Sequence, residues 1–164
     1  MDATADDAEP RWLDDGQQRA WRALILGTTL LFDRLDDDLR AHGVSMPEYE
    51  ILVRLSERGG SLRMAQLADA LAHSRSRVTH TVKRMEAAGL VERTESPDDG
   101  RGVVARLTDH GWDLLRRVAP VHVEGVRSLL VDLADPADFA ALGRVMDAVT
   151  DHLIAGRPDL DIRG

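Results

Sequence analysis

The sequence predicts a mainly α-helical protein that carries one small β-hairpin. Apolar residues recur at helical spacing in four long stretches: 13–40, 45–58, 108–130 and 138–155. Two short runs with strand character, 90–95 and 103–107, flank a segment at 96–102 that is dense in turn-forming residues. This order of elements predicts a helical protein that contains a single hairpin.

The first helix is predicted over residues 13–40, where leucines repeat at helical spacing. Asp14 and Gln17 have the spacing of a capping box that would open the helix. Gly43 marks its end. At the usual rise per residue the helix would be about 40 Å long, more than one small lobe can cover.

Two shorter helices are predicted next. Ser45, Pro47 and Glu48 form a start signal, because Ser45 can cap, Pro47 lacks an N–H where none is needed, and Glu48 can bond back. This helix stops at the glycine pair 59–60, and a short helix is predicted over 64–72.

A helix is then predicted over residues 74–88. Val78, Val82 and Met85 lie at i, i+4 and i+7, so they are expected to face inward. Gly89 follows as a helix-terminating residue, and the hairpin begins after it.

Two helices are predicted in the C-terminal part. Thr108 caps a helix that runs to about residue 130, with a bend expected at Pro120. Asp135 and Pro136 open the last helix. Its apolar residues follow the alternating steps of a coiled-coil seam: Phe139, Leu142, Met146, Val149 and Leu153.

Together, the first helix and the C-terminal helices present more apolar surface than a single lobe of about sixty residues can cover. Burial against a two-fold copy of the chain is the simplest way to remove that surface from water, so a homodimer is expected. A bundle formed within one chain is the alternative.

Composition excludes several classes of protein. The 164 residues include no cysteine, which excludes disulfides and thiol-based redox sensing. The six histidines show no metal-binding spacing, so neither a metal nor a cofactor is predicted. The acidic N-terminus lacks the features of a signal peptide, and no apolar run is long enough to span a membrane. A cytoplasmic location is expected.

No catalytic motif is present. The chain has no G-x-S-x-G, no HExxH and no glycine-rich phosphate loop, so an enzyme is not predicted.

Charge is distributed unevenly along the chain. The net charge is −8, yet residues 61–106 hold eight basic and six acidic side chains, a net +2. Residues 73–93 alone carry five basic and two acidic side chains. Because phosphates respond to the local face presented to them, this segment is a candidate for contact with nucleic acid.

The start of the 74–88 helix has the chemistry of a DNA-reading element. An α-helix fits the major groove of B-DNA, and its N-terminal half lies closest to the base edges. Small hydroxyl side chains allow close approach, and arginine can bind guanine through two hydrogen bonds. The predicted DNA contacts are Ser74, Arg75, Ser76, Arg77, Thr79, His80 and Lys83. An ordinary amphipathic surface helix is the alternative for this stretch taken alone.

The hairpin tip carries a second candidate contact. Asp99 and Arg101 can pair across the turn, which would hold the loop while Arg101 points outward. A cation on a narrow ribbon suits the negative potential of the minor groove. A solvated tip, kept soluble by its charges, is the alternative. The basic residues of the helix and tip also argue against a module that binds only protein, which remains the alternative function.

The chain resembles the MarR family of winged helix-turn-helix transcriptional regulators, closely over roughly residues 45–111. The segments that carry the resemblance are Met-Ala-Gln-Leu-Ala at 64–68, Ser-Arg-Ser-Arg-Val-Thr at 74–79, Met-Glu-Ala-Ala-Gly-Leu-Val at 85–91, Asp-Gly-Arg at 99–101 and Leu-Thr-Asp-His-Gly at 107–111. The resemblance implies an obligate homodimer, recognition by the 74–88 helix and a minor-groove wing that bears Arg101. Gly100 departs from the family, which often has a basic residue there.

The resemblance also implies a division of labour. A winged helix-turn-helix domain would span 45–108, and a helical dimerisation domain would combine 13–44 with 109–155, leaving tails at 1–12 and 156–164. The expected function is regulation of transcription, most simply repression, at a short inverted repeat in double-stranded DNA.

Relatives of this kind often release DNA when a small anionic or phenolic effector binds near the dimer body. Candidate ligand residues here are Trp21, His42, Tyr49 and Trp112. The two tryptophans could instead be core or interface anchors, and His42 could cap a helix end.

Overall fold

The computed structural model describes residues 10–95 and 102–156. Within them lie six α-helices, three strands and one 3₁₀ turn. In chain order these are α1 (Asp15–Arg40), α2 (Met46–Glu57), β1 (Ser61–Arg63), α3 (Met64–Ala70), α4 (Arg75–Ala87), β2 (Val91–Glu95), β3 (Val103–Leu107), α5 (Asp109–Leu129), the 3₁₀ turn Val131–Leu133 and α6 (Pro136–Ile154). The predicted fold class, mainly helical with a small hairpin, is confirmed. Contacts divide the chain into two compact units, Met1–Asp33 and Arg34–Gly164.

The first unit contains most of α1. The predicted capping box is present: the Asp14 and Gln17 backbone N–H groups each donate to the other residue's side chain, at 3.1 and 2.8 Å. Large apolar side chains of this unit are exposed: Trp12, Leu13, Trp21, Ile25, Leu26, Leu30 and Phe32.

The second unit holds the core. The start of α2 follows the predicted signal, since the Glu48 carboxylate accepts hydrogen bonds from the Ser45 backbone N–H at 2.9 Å and from its hydroxyl at 2.7 Å. The helix ends before Gly59 and Gly60, whose φ angles of +69° and +90° suit glycine. Largest among the fully buried side chains are Leu39, Ile51, Leu52, Leu55, Leu67 and Met85.

The sheet has one more strand than the hairpin predicted from the sequence. Strand order is β1-β3-β2, and both pairings are antiparallel. In the unforeseen pair, Ser61 lies opposite Arg106 and Arg63 opposite Val104. Three residues are too few to reveal alternation, so β1 is defined only by its distant partner.

The predicted starts of α5 and α6 are confirmed. The Thr108 hydroxyl accepts the Gly111 N–H at 3.0 Å, and the Asp135 carboxylate accepts the Ala137 N–H at 2.8 Å. Helix α5 continues through Pro120, and the 3₁₀ turn after it was not predicted. No residue of α6 is buried. Among the described helices, none is both long and apolar enough to cross a membrane.

Candidate nucleic-acid interface

Helix α4 separates an apolar face from a polar one. Val78, Val82 and Met85 are no more than 1% exposed and anchor the helix in the core, as predicted. All seven residues predicted to contact DNA on this element are exposed: Ser74, Arg75, Ser76, Arg77, Thr79, His80 and Lys83. All seven side chains are therefore accessible, on the polar side of α4 and on both flanks of its buried stripe.

A tight turn sets the entry of α4. Helix α3 ends at Ala70, and the His73 N–H donates to the Ala68 carbonyl at 3.0 Å. Ala72 adopts a φ of +51°, an uncommon conformation for a residue with a side chain. The Ser74 hydroxyl then caps α4 by accepting the Arg77 N–H at 3.3 Å. Ser74 thus has a structural task beside its predicted contact.

The cations of this face are accessible to another molecule. Arg75, Arg77 and Lys83 form no ion pair with any residue in the described part of the chain. The first-turn N–H groups of α4 add partial positive charge at the same end of the helix. Both features favour phosphate or the acceptor-rich edge of guanine as a partner.

Two further charged contacts, absent from the sequence-based prediction, hold the other end of α4. Arg84 lies 3.7 Å from the Glu48 carboxylate at the start of α2. Glu86 binds Arg93 of β2, with the closest nitrogen and oxygen 2.6 Å apart. Each pair joins two different elements, and neither has the i,i+3 or i,i+4 spacing that marks a pair within one helix, so no local spacing reveals them. The hydrogen bond from Arg93 lowers the pKa of the Glu86 carboxyl below its ordinary value.

Arg84 and Glu48 also line an open cleft of about 350 Å³. Its other lining residues are Arg40, Gly43, Val44 and Ser45.

The hairpin lies where it was predicted, directly after α4. Strands β2 and β3 pair from Val91 opposite Leu107 to Glu95 opposite Val103. Asp99 and Arg101 lie outside the described residues, so the role assigned to each stays a prediction. The base of the hairpin is fixed to the core, because Val91, Ala105 and Leu107 are buried.

The four predicted ligand residues occupy different surroundings. Trp21 is 55% exposed on α1. His42 follows α1, and its Nδ1 lies 2.9 Å from the Asp38 carbonyl oxygen, the helix-end contact named above as the alternative. Tyr49 is buried in the core.

Trp112 lies beside Gly60 and lines a small cleft of about 230 Å³. The other residues of that cleft are Gly59, Ser61, Arg106 and Leu107. Ligand contact by any of the four residues stays a prediction.

Sequence reasoning missed His122 of α5, which packs on Tyr49 with ring centroids 4.6 Å apart. Its Nδ1 is buried and has no hydrogen-bond partner in the described part of the chain. Burial lowers the pKa of His122, because a charged imidazole would lose hydration there. The same burial raises the pKa of Tyr49.

Comparison with known proteins identifies relatives of this chain in both sequence and structure. A protein-family model described as the MarR family matches residues 42–102. The transcriptional regulator PecS of Dickeya dadantii (strain 3937) is 33% identical over 141 residues, covering 82% of this chain and 84% of PecS.

Two solved structures from Streptomyces coelicolor are also similar, each described as a MarR family transcriptional regulator. AbsC is 43% identical, with 89% of this chain and 99% of AbsC covered and a TM-score of 0.85. Sco3205, solved in complex with DNA, is 40% identical, with 95% and 98% covered and a TM-score of 0.85.

Proposed function

Because this chain belongs to the MarR family of transcriptional regulators, we propose that it represses transcription by binding, as a homodimer, a short inverted repeat in duplex DNA. It is a regulator and not an enzyme. The observation that carries the proposal is the set of exposed cations on α4 that form no ion pair among the described residues, opposite a face anchored in the core. The complex of Sco3205 with DNA supports the same partner for this chain.

Individual roles follow from chemistry. Arg75 and Arg77 read base edges in the major groove, where guanine offers two acceptors to one guanidinium. Ser76, Thr79 and Lys83 bind phosphate and fix the register. Arg101 enters the adjacent minor groove from the hairpin tip.

Dimerisation places two such heads on one duplex. The exposed seam of α6, together with the exposed apolar residues of the first unit, is more apolar surface than a soluble monomer usually presents. A two-fold partner buries it and sets the recognition helices about 34 Å apart, one turn of B-DNA. The DNA site is therefore an inverted repeat.

A small anionic or phenolic effector releases the DNA. The cleft beside Trp112 supports this proposal, since an aromatic ring and the exposed cation Arg106 offer stacking and charge to an aromatic acid. Such a ligand acts by favouring a head spacing that does not match the groove.

The test is selection of bound fragments from a random duplex pool, followed by sequencing. We expect a symmetric motif and a particle of twice the chain mass, measured by light scattering. Retention of random fragments alone, or a single-chain mass, would contradict the proposal.

Addition of salicylate to the complex with the selected duplex tests release. Full retention of DNA at millimolar salicylate, benzoate and a simple phenol would contradict the effector proposal while leaving DNA binding intact.

A further inference from the structure

One carboxylate joins α4 to the first wing strand. Arg93 donates to Glu86 Oε2 through Nε at 2.9 Å and through Nη2 at 2.6 Å. The Arg93 backbone N–H points to the other carboxylate oxygen, Oε1, at 3.3 Å. Glu86 therefore holds both the side chain and the main chain of β2.

The contact between Glu86 and Arg93 lies where it can fix the angle between α4 and β2. Helix and strand are separated by only three residues, and Gly89 among them has a φ of +70°. The side chains of Glu86 and Arg93 are 35% and 28% exposed, so water screens the pair only in part. Short, charge-assisted bonds of this geometry restrict the rotation of the strand against the helix.

We propose that Glu86 and Arg93 are positioning residues, which fix the wing at the angle to α4 that duplex DNA requires, without either touching the DNA. The proposal rests on the DNA-binding function proposed above. Two reading elements that enter neighbouring grooves must be held in one relative orientation, and a loose wing would enter its groove only part of the time.

An alternative role for Arg93 is direct contact with phosphate. The two roles predict opposite changes in DNA affinity when the Glu86 carboxylate is removed. Loss of the Glu86 carboxylate removes a negative charge from a DNA-facing domain and frees Arg93. If Arg93 binds phosphate, affinity for DNA stays equal or rises. If the pair positions the wing, affinity falls despite the more favourable charge.

The chain offers a matched control in the same strand. Glu92 also pairs with an arginine, Arg106 of β3, but at 3.9 Å and with both side chains more than half exposed. Glu92→Ala removes one negative charge, as Glu86→Ala does, but from β2 instead of α4. The contact that it breaks is an exposed ion pair, which should contribute little to the orientation of the wing.

The experiment is a double-mutant cycle on the full-length protein, with the duplex recovered by selection as the probe. Glu86→Ala, Arg93→Ala and the double variant are titrated over a range of salt, and folding is followed by thermal melting. We expect each single variant to bind about ten-fold more weakly and the double variant no more weakly than either, the signature of coupled residues. The salt slope should not change, because no phosphate contact is lost.

Equal or tighter binding by Glu86→Ala would overturn the proposal, as would a salt slope reduced by about one phosphate in Arg93→Ala. If Glu86→Ala melts below the assay temperature, Glu86→Gln keeps the shape and loses the charge, and the same criteria apply to it. Should wild type and Glu92→Ala both lack preference for any duplex, the proposed function itself fails, which is a separate outcome.

Discussion

At the scale of single residues, the face of α4 depends on which arginines are left unpaired. Arg77 is exposed and forms no ion pair in the described part of the chain, whereas Arg84 lies near Glu48. The same side-chain type thus occupies two ends of one helix, exposed to solvent at position 77 and beside a carboxylate of the protein at position 84.

Arg77→Ala should weaken binding to the selected duplex far more than binding to random duplex. A bidentate contact to guanine contributes about 1–3 kcal/mol of discrimination, which a phosphate contact does not supply. Competition titrations at fixed salt measure the ratio, and Arg117→Ala removes an exposed arginine from α5 as a control. Equal loss on both duplexes would reassign Arg77 to the phosphate backbone.

We expect the buried His122 to make the stability of the fold depend on pH. Because burial lowers its pKa from 6.5, the unfolded chain takes up a proton before the folded chain as the pH falls. The contribution of neutral His122 to the free energy of unfolding is complete above that value and declines below it.

His122→Phe keeps a ring against Tyr49 and removes the titration. Urea unfolding of both proteins between about pH 7.5 and 5.5 should show a smaller loss of stability in the variant. Parallel pH profiles would show that other groups dominate this window.

At the scale of elements, α5 is seated by the lack of a side chain at Gly111. A Cβ there would lie 2.1 Å from the Leu90 carbonyl oxygen, and the contacted atom is backbone that cannot rotate away. This close approach packs the start of α5 against the segment between α4 and β2. The backbone at Leu90 therefore helps to position both α5 and the wing.

Gly111→Ala should destabilise the fold by about 1–3 kcal/mol, the usual cost of overpacking, because strand or helix must shift. Ala148→Gly on the opposite face of α6 from the seam removes a side chain without overpacking and should cost about 1 kcal/mol or less, the usual helix-propensity difference. Denaturant midpoints at equal slopes give the comparison. Equal midpoints for the two variants would mean that the approach of α5 to Leu90 does not constrain the fold.

At the scale of the whole molecule, the single chain leaves a large apolar surface exposed to water. Met146 lies in the middle of the α6 seam and is 43% exposed. The proposed dimer covers this seam, so a charge there would have to be buried without a partner.

Met146→Asp should therefore produce a monomer and lower the affinity for an inverted repeat. Ala148→Asp introduces the same charge on the opposite face of α6 and should leave both properties unchanged. Sedimentation over a range of concentrations, paired with titration of the selected duplex, measures the two effects. A dimer that persists in Met146→Asp would place the interface elsewhere.

Much of the fold could be predicted from the sequence, because the signals are local. The helix starts marked by Asp14, Ser45, Thr108 and Asp135, and the buried stripe of α4, are patterns contained within a few residues. They fixed the order of helices and hairpin and the face that α4 turns outward. The assignments of DNA and ligand contacts to particular residues stay predictions.

Only the tertiary structure decided how those elements lock together. Strand β1, the Glu86–Arg93 pair and the stacking of His122 on Tyr49 each join segments that are distant in sequence or carry no periodic signal. Such contacts exist only after the chain has folded, because their partners are selected by geometry in space and not by spacing along the backbone. The sequence by itself therefore determined which side chains α4 exposes. The fold determined which contacts join α4 to the neighbouring strand and helices.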